Sequence, residues 1–208
     1  MKNIIFNKKF DNRGMTLIEV LIATSLFVLL MGGFVEMLIW ANHGKDVVWE
    51  QLTTQSEGRK VVQDFVNDLR RANYSNIGAY PLETATSQQI VFYSNIDLDN
   101  WLERTRYFLD GKILKKGITK PSGTPLSYPP VNETIIEVAH DVANGAGPIF
   151  YYYDQVYTGV TDTPMSYPIN ISNVRVVGVQ LMLEERPNVS PAPFYIEAKT
   201  AIRNLKTN

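Results

Sequence analysis

The chain of 208 residues contains no cysteine. That excludes disulfide staples, thiol nucleophiles and cysteine-ligated metal. It says little about compartment, because a domain of about 150 residues outside the cytoplasm can bury enough core without a disulfide. Histidine is scarce: His43 and His140 stand far apart, and neither is expected to act as a ligand or a base. The formal charge is −1, so the chain as a whole lacks the basic excess of a polyanion binder. There is no G-x-S-x-G elbow, no P-loop, no Rossmann glycine fingerprint and no H-E-x-x-H helix, so no enzyme is expected. Charge is also missing from one long stretch. From Met15 to Ala41 nearly every residue is apolar or small, and Glu19 and Glu36 are the exceptions.

What precedes that stretch is basic. Lys2, Lys8, Lys9 and Arg13 against Asp11 give Met1–Gly14 a balance of +3 before the terminal amine is counted. This is the positive-inside arrangement, with the leader held in the cytoplasm and the remainder able to cross. A secretory signal peptide does not account for it. Such a signal carries its small-residue cleavage site after the apolar core, whereas Gly14 lies before it and no A-x-A follows in place. An ordinary membrane anchor needs about 20 apolar residues, and Met15–Trp40 supplies them. A plain anchor gains nothing from Glu19, however, because a carboxylate in a bilayer costs several kcal/mol.

The run Arg13-Gly14-Met15-Thr16-Leu17-Ile18-Glu19, continued by Val20-Leu21-Ile22-Ala23, resembles the prepilin motif of type IV pilins and type II secretion pseudopilins. The resemblance implies a prepilin peptidase that cuts Gly14–Met15 on the cytoplasmic side and methylates the new amino terminus at Met15. Met15 stands where phenylalanine is commonest. Glu19 becomes the fifth residue of the mature chain, where the family carries its glutamate. The implied partner of that carboxylate is the amino terminus of a neighbouring subunit, a pairing that sets axial register. Other implied partners are fellow pilin or pseudopilin subunits, the peptidase, an inner-membrane assembly platform and the membrane itself. Removing fourteen of 208 residues leaves 194, which is large for a major pilin.

Beyond the leader (1–14) and the hydrophobic segment (15–44), residues 45–208 read as an extracytoplasmic head. Val61, Val62, Phe65, Val66 and Leu69 recur at helical spacing, so one helix is expected from about Thr16 to Ala72. Val61, Val66 and Leu69 are the residues expected to pack on a sheet. Gly32-Gly33 offers either a loosening point or close helix packing, and Gly58 marks a candidate bend. Strands are expected at Gln89–Ser94, Arg104–Leu109, Lys112–Lys116, Thr134–Ala139, Ile149–Tyr153, Val174–Leu183 and Phe194–Arg203, with Asp110-Gly111 as a hairpin turn. The fold class is therefore α+β: a long N-terminal helix packed on an antiparallel sheet. The order Asp68-Leu69-Arg70-Arg71-Ala72, Tyr107–Leu114 and Phe150–Asp154 is similar to minor pilins and pseudopilins of the J-like and W-like kind. The implied role is a minor structural subunit of a type IV pilus or secretion pseudopilus. A filament-tip adhesin or DNA-uptake module on the same anchor is the alternative.

Few side chains in the head suggest chemistry. Asn95-Ile96-Asp97-Leu98-Asp99-Asn100, with Glu103 close behind, places oxygen donors at alternating positions, as in the first part of a calcium loop. The turn glycine and terminal glutamate of an EF-hand are missing, so a plain polar turn is the competing reading. Calcium is the one cofactor that the sequence suggests. Lys112, Lys115 and Lys116 with Arg104 and Arg106 form a small basic hairpin. It is either a phosphate-tracking surface for nucleic acid or a solvated edge strand guarded by lysines. In Tyr151-Tyr152-Tyr153, alternation puts Tyr152 opposite its neighbours, so at least one of them belongs to the core.

Overall fold

A computed structural model describes residues 14–97, 99–159, 163–185 and 192–205, without the side chains of residues 43, 44, 46, 47 and 50. The expected basic leader, residues 1–13, lies outside the described residues. Two compact units are present, Met1–Asp46 and Val47–Asn208. The first helix, α1, runs Leu17–Arg70 and contributes to both. It continues through Gly32 and Gly33, where an added Cβ would meet nothing within 4 Å.

Within the first unit, every described side chain of α1 is exposed. Leu17–Asn42, at 26 residues, is long and apolar enough to cross a membrane. At 1.5 Å per residue it would extend about 39 Å, against a hydrocarbon core of about 30 Å. Its hydroxyls are satisfied inside the helix, as a bilayer requires. Thr24 Oγ1 donates to the Val20 carbonyl at 2.9 Å, and Ser25 Oγ donates to that of Ile22 at 2.8 Å.

The second unit is an α+β head. Its strands are β1 (Leu82–Ala85), β2 (Gln89–Ser94), β3 (Glu103–Asp110), β4 (Ile113–Thr119), β5 (Thr134–Ala139), β6 (Phe150–Tyr153), β7 (Val176–Leu183) and β8 (Phe194–Ala201). They form an antiparallel five-stranded meander, β1 to β5, and an antiparallel three-stranded one, β6 to β8. The single expected sheet is thus two, and β1 is an addition. The sheets meet where the Ile149 and Phe150 amides donate to the Ser87 carbonyl, at 2.7 and 3.0 Å.

The apolar face of α1 fills the space between them. Val61, Val62, Phe65 and Leu69 are buried there, as is Ala72 just past the helix, and Val66 is partly buried against the same core. Phe65 touches both sheets. Its ring meets Tyr107 edge-on at 5.2 Å and Phe92 at 6.3 Å, and lies tilted on Phe150 at 5.4 Å. Gly58 is not a bend but a point of close approach. A Cβ there would lie 2.9 Å from Leu183 Cδ1 and 3.2 Å from Phe194 Cε1.

The β3–β4 hairpin turns one residue later than expected. Asp110 pairs with Ile113, so Gly111 and Lys112 form the two-residue loop. Gly111 has φ +62 and takes the first central position, where a hairpin turn favours glycine.

A buried ion pair fixes the end of α1 to the five-stranded sheet. Asp68, 3% exposed, accepts from Lys116 Nζ at 2.6 Å and from Tyr107 Oη at 2.7 Å, both on Oδ2. Its other oxygen accepts from Arg71 at 3.2 Å, and its backbone carbonyl accepts from Ser94 Oγ at 2.6 Å. One residue therefore ties the helix to β2, β3 and β4. Removing one partner of such a pair leaves a buried charge uncompensated, at a cost of about 3–5 kcal/mol. Lys116→Met is expected to destabilise the detergent-solubilised chain by about that amount in thermal or denaturant unfolding, and Asp68→Asn with Lys116→Met to recover most of the loss.

Candidate functional site

The N-terminal motif is exposed where described. Met15 is 78% exposed, and α1 begins two residues later. Thr16 and Glu19 form a capping box that the sequence reading missed. Glu19 Oε2 accepts from the Thr16 amide at 2.9 Å and from Thr16 Oγ1 at 3.0 Å. The Glu19 amide donates back to Thr16 Oγ1 at 3.3 Å. The signal was present as T-x-x-E just ahead of an apolar run. Glu19 therefore has a local role in starting the helix. Both of its local bonds fall on Oε2, so a cation from outside the chain can add at Oε1 without breaking the cap.

The basic hairpin is neither an edge strand nor a row of uncommitted cations. β4 lies between β3 and β5. Strand alternation turns Lys116 inward to Asp68 and Lys115 outward, where it pairs with Asp110 at 2.8 Å. Arg104 grips Glu83 with two bonds, at 2.8 and 2.6 Å. Arg106 does the same to Glu133, at 2.8 and 2.7 Å, with its guanidinium 3.8 Å over the Phe108 ring. Planar two-bond pairs of this kind hold arginine in a fixed place. In the Tyr151–Tyr153 run, Tyr151 is half-buried and the next two tyrosines are buried. Tyr152 is fully buried, and its hydroxyl donates to the Thr86 carbonyl at 2.8 Å. Tyr153 is also buried, with its ring 4.7 Å from that of Tyr157. Beside them Asp154, Tyr157, Arg175 and Lys199 line a cleft of about 400 Å³, which nothing in the sequence pattern marked.

The acidic loop between β2 and β3 does come together. One carboxylate oxygen from each of Asp97, Asp99 and Glu103 lies within 4.8 Å of the others. Glu103 is 1% exposed. Its Oε2 accepts from the Ile96 amide at 2.9 Å, while Oε1 is buried without a partner. Burial pushes the Glu103 carboxyl up, and the nearby Asp97 and Asp99 add to that. Lys120, just past β4, reaches Asp97 and lies 3.7 Å from Asp99. Its ammonium holds the Asp97 carboxyl below the usual range.

His140 forms a clasp between α1 and β5. Its Nδ1 lies 2.9 Å from Glu57 Oε1, and its Nε2 lies 3.2 Å from Glu137 Oε2. The His140 amide also donates to Glu57 Oε1, at 3.1 Å. The bond to Glu57, with that to Glu137 second, raises the imidazole above its ordinary value.

No family model matches this chain, and no curated protein sequence matches it. The clasp carries a pH dependence of definite sign. A raised histidine contributes stability that is fully present below its unfolded value, about 6.5, and is lost as pH rises through the folded value. The unfolding midpoint is therefore expected to fall from about pH 6 towards pH 8 more steeply in the parent chain than in His140→Gln. Equal slopes in the two proteins would show that the clasp contributes nothing.

Proposed function

We propose that the chain is a filament subunit of the type IV pilin or secretion pseudopilin kind, and a minor one. It is inserted in the cytoplasmic membrane with its head outside the cytoplasm. A prepilin peptidase cuts Gly14–Met15 and methylates Met15, and the platform then passes the subunit into the filament. The observation that carries the reading is Leu17–Asn42, an apolar helix exposed on all its described sides, with Glu19 near its start. So much uncovered apolar surface calls for lipid or for neighbouring helices. An N-terminal apolar helix followed by a head in which the helix packs on antiparallel sheet is compatible with a pilin-like fold.

Glu19 does two things in this account. In the single chain it caps the helix through Thr16. In the filament its carboxylate takes the methylated ammonium of a neighbour's Met15. That pairing offsets the cost of burying the charge and picks one axial offset between subunits.

The capping box makes the two roles separable. Thr16→Ala removes the hydroxyl of the cap, at a cost of about 1 kcal/mol, and leaves the carboxylate. Glu19→Ala removes the carboxylate, and with it that half of the cap, and leaves the Thr16 hydroxyl. Cells carrying Glu19→Ala are expected to cut the leader normally but to show at least a tenfold loss of the subunit from sheared filaments, while Thr16→Ala is retained. Equal loss in both variants would reduce Glu19 to a capping residue. Normal incorporation of Glu19→Ala would remove the register pairing altogether.

A further inference from the structure

We propose that the loop joining β2 to β3 is a calcium site, with Asn95, Asp97, Asp99 and Glu103 as its protein ligands. Three observations lead there. The first is donor type and spacing. Residues 95, 97 and 99 carry side-chain oxygens at every second position, and Glu103 follows four residues later. The set contains oxygen alone, which suits a hard cation and not a thiophilic one. The second is distance. Calcium holds oxygens at 2.3–2.6 Å, so ligands on opposite sides of one ion stand roughly 4.6–5.2 Å apart. The oxygens of Asp97, Asp99 and Glu103 lie within 4.8 Å of one another.

The third observation is independent of the clustering. Two oxygens of this set are buried and have no hydrogen-bond partner: Asn95 Oδ1 and Glu103 Oε1. They belong to the first and last residues of the spaced set. Glu103 is 1% exposed and shares the cluster with both aspartates. A buried oxygen without a donor is costly, and natural folds rarely leave one unless something binds there. An unpartnered oxygen on a buried Glu103 that shares its cluster with two aspartates calls for a positive ligand, and the spacing of the set adds Asn95 to it.

Lys120 is the built-in competitor. Its ammonium touches Asp97 and approaches Asp99, yet it brings one positive charge to three carboxylates. The Lys120 side chain is 59% exposed. It can swing into water when a divalent ion arrives, whereas the Glu103 carboxylate cannot leave. In the absence of calcium, Lys120 holds the aspartates together. With calcium bound, the ion satisfies Asn95 and Glu103 as well, and the loop between two central strands stiffens.

The test is calorimetric titration of the full chain in detergent, stripped by chelator and titrated with calcium chloride, with thermal unfolding alongside. One saturable site is expected, with Kd of about 0.1–1 mM, the range of extracellular calcium modules, and with weaker binding of magnesium. Lys120→Met should tighten calcium roughly tenfold by removing the competitor, and Glu103→Gln should weaken it roughly tenfold. Because Glu103 is buried and its variant can misfold, Asp99→Asn at an exposed position serves as the second test and should weaken binding similarly. Absence of saturable binding in both the parent chain and Lys120→Met up to about 10 mM calcium would overturn the proposal. So would binding that is unchanged in Asp99→Asn. Neither readout requires a filament, so failure here is distinct from failure of the assembly role.

Discussion

The head depends on a charge that is buried where α1 ends. Asp68 lies one helical turn beyond Phe65, and it is held by a lysine from β4 and a tyrosine from β3. An isolated carboxylate at that depth would be untenable, so its partners must arrive together and in one geometry. That requirement fixes the rotation of the helix about its own axis. Once it is fixed, Phe65 points between the two sheets and Gly58 faces Leu183 and Phe194. A helix turned by one residue would place a side chain where only a glycine fits. Apolar burial supplies most of the driving force, but it is indifferent to small rotations. The ion pair and the glycine are the parts that discriminate.

The elements legible in the sequence were those with a strong local signal. Helical spacing from Val61 to Leu69 marked the buried face of α1, and six of the seven expected strands lie within about two residues of those observed, with β4 reaching three residues further, to Thr119. The strand at Leu82–Ala85 escaped notice because four residues carry too little alternation to register. It exists because β2 offers it an edge, with Leu82 opposite Phe92 and Ala85 opposite Ile90. The division into two sheets was equally hidden, since nothing local says that β6 will turn away from β5. Gly58 reads in sequence as a weak point of a helix. Only the approach of β7 and β8 reveals it as a packing position.

The charged residues illustrate the same limit. Arg106 and Glu133 are 27 positions apart, and Lys116 and Asp68 are 48 apart. No periodicity advertises pairs at such separations, yet four cations of a hairpin that reads as basic, Arg104, Arg106, Lys115 and Lys116, each meet a carboxylate. The acidic loop was more visible because its donors are close in the chain. What the sequence did not disclose was the burial of Glu103, which changes a solvated turn into a site with unmet bonds. The capping box lay in plain view at Thr16 and Glu19, overshadowed by the longer motif that contains it.

The proposed role joins these two halves of the chain. Besides a head organised around Asp68, the chain carries a long apolar helical segment, which in that role is covered first by lipid and then by other subunits. A free amino terminus at Met15 is the condition for the exchange, because an attached basic leader would both block the ammonium and hold the segment at the cytoplasmic face. Intact-mass and N-terminal peptide spectrometry, on the protein recovered from membranes that contain a prepilin peptidase, is therefore the most direct measurement. The account predicts a chain that begins at Met15 and carries one methyl group on its amine. A protein that retains Met1–Gly14 under those conditions would contradict it.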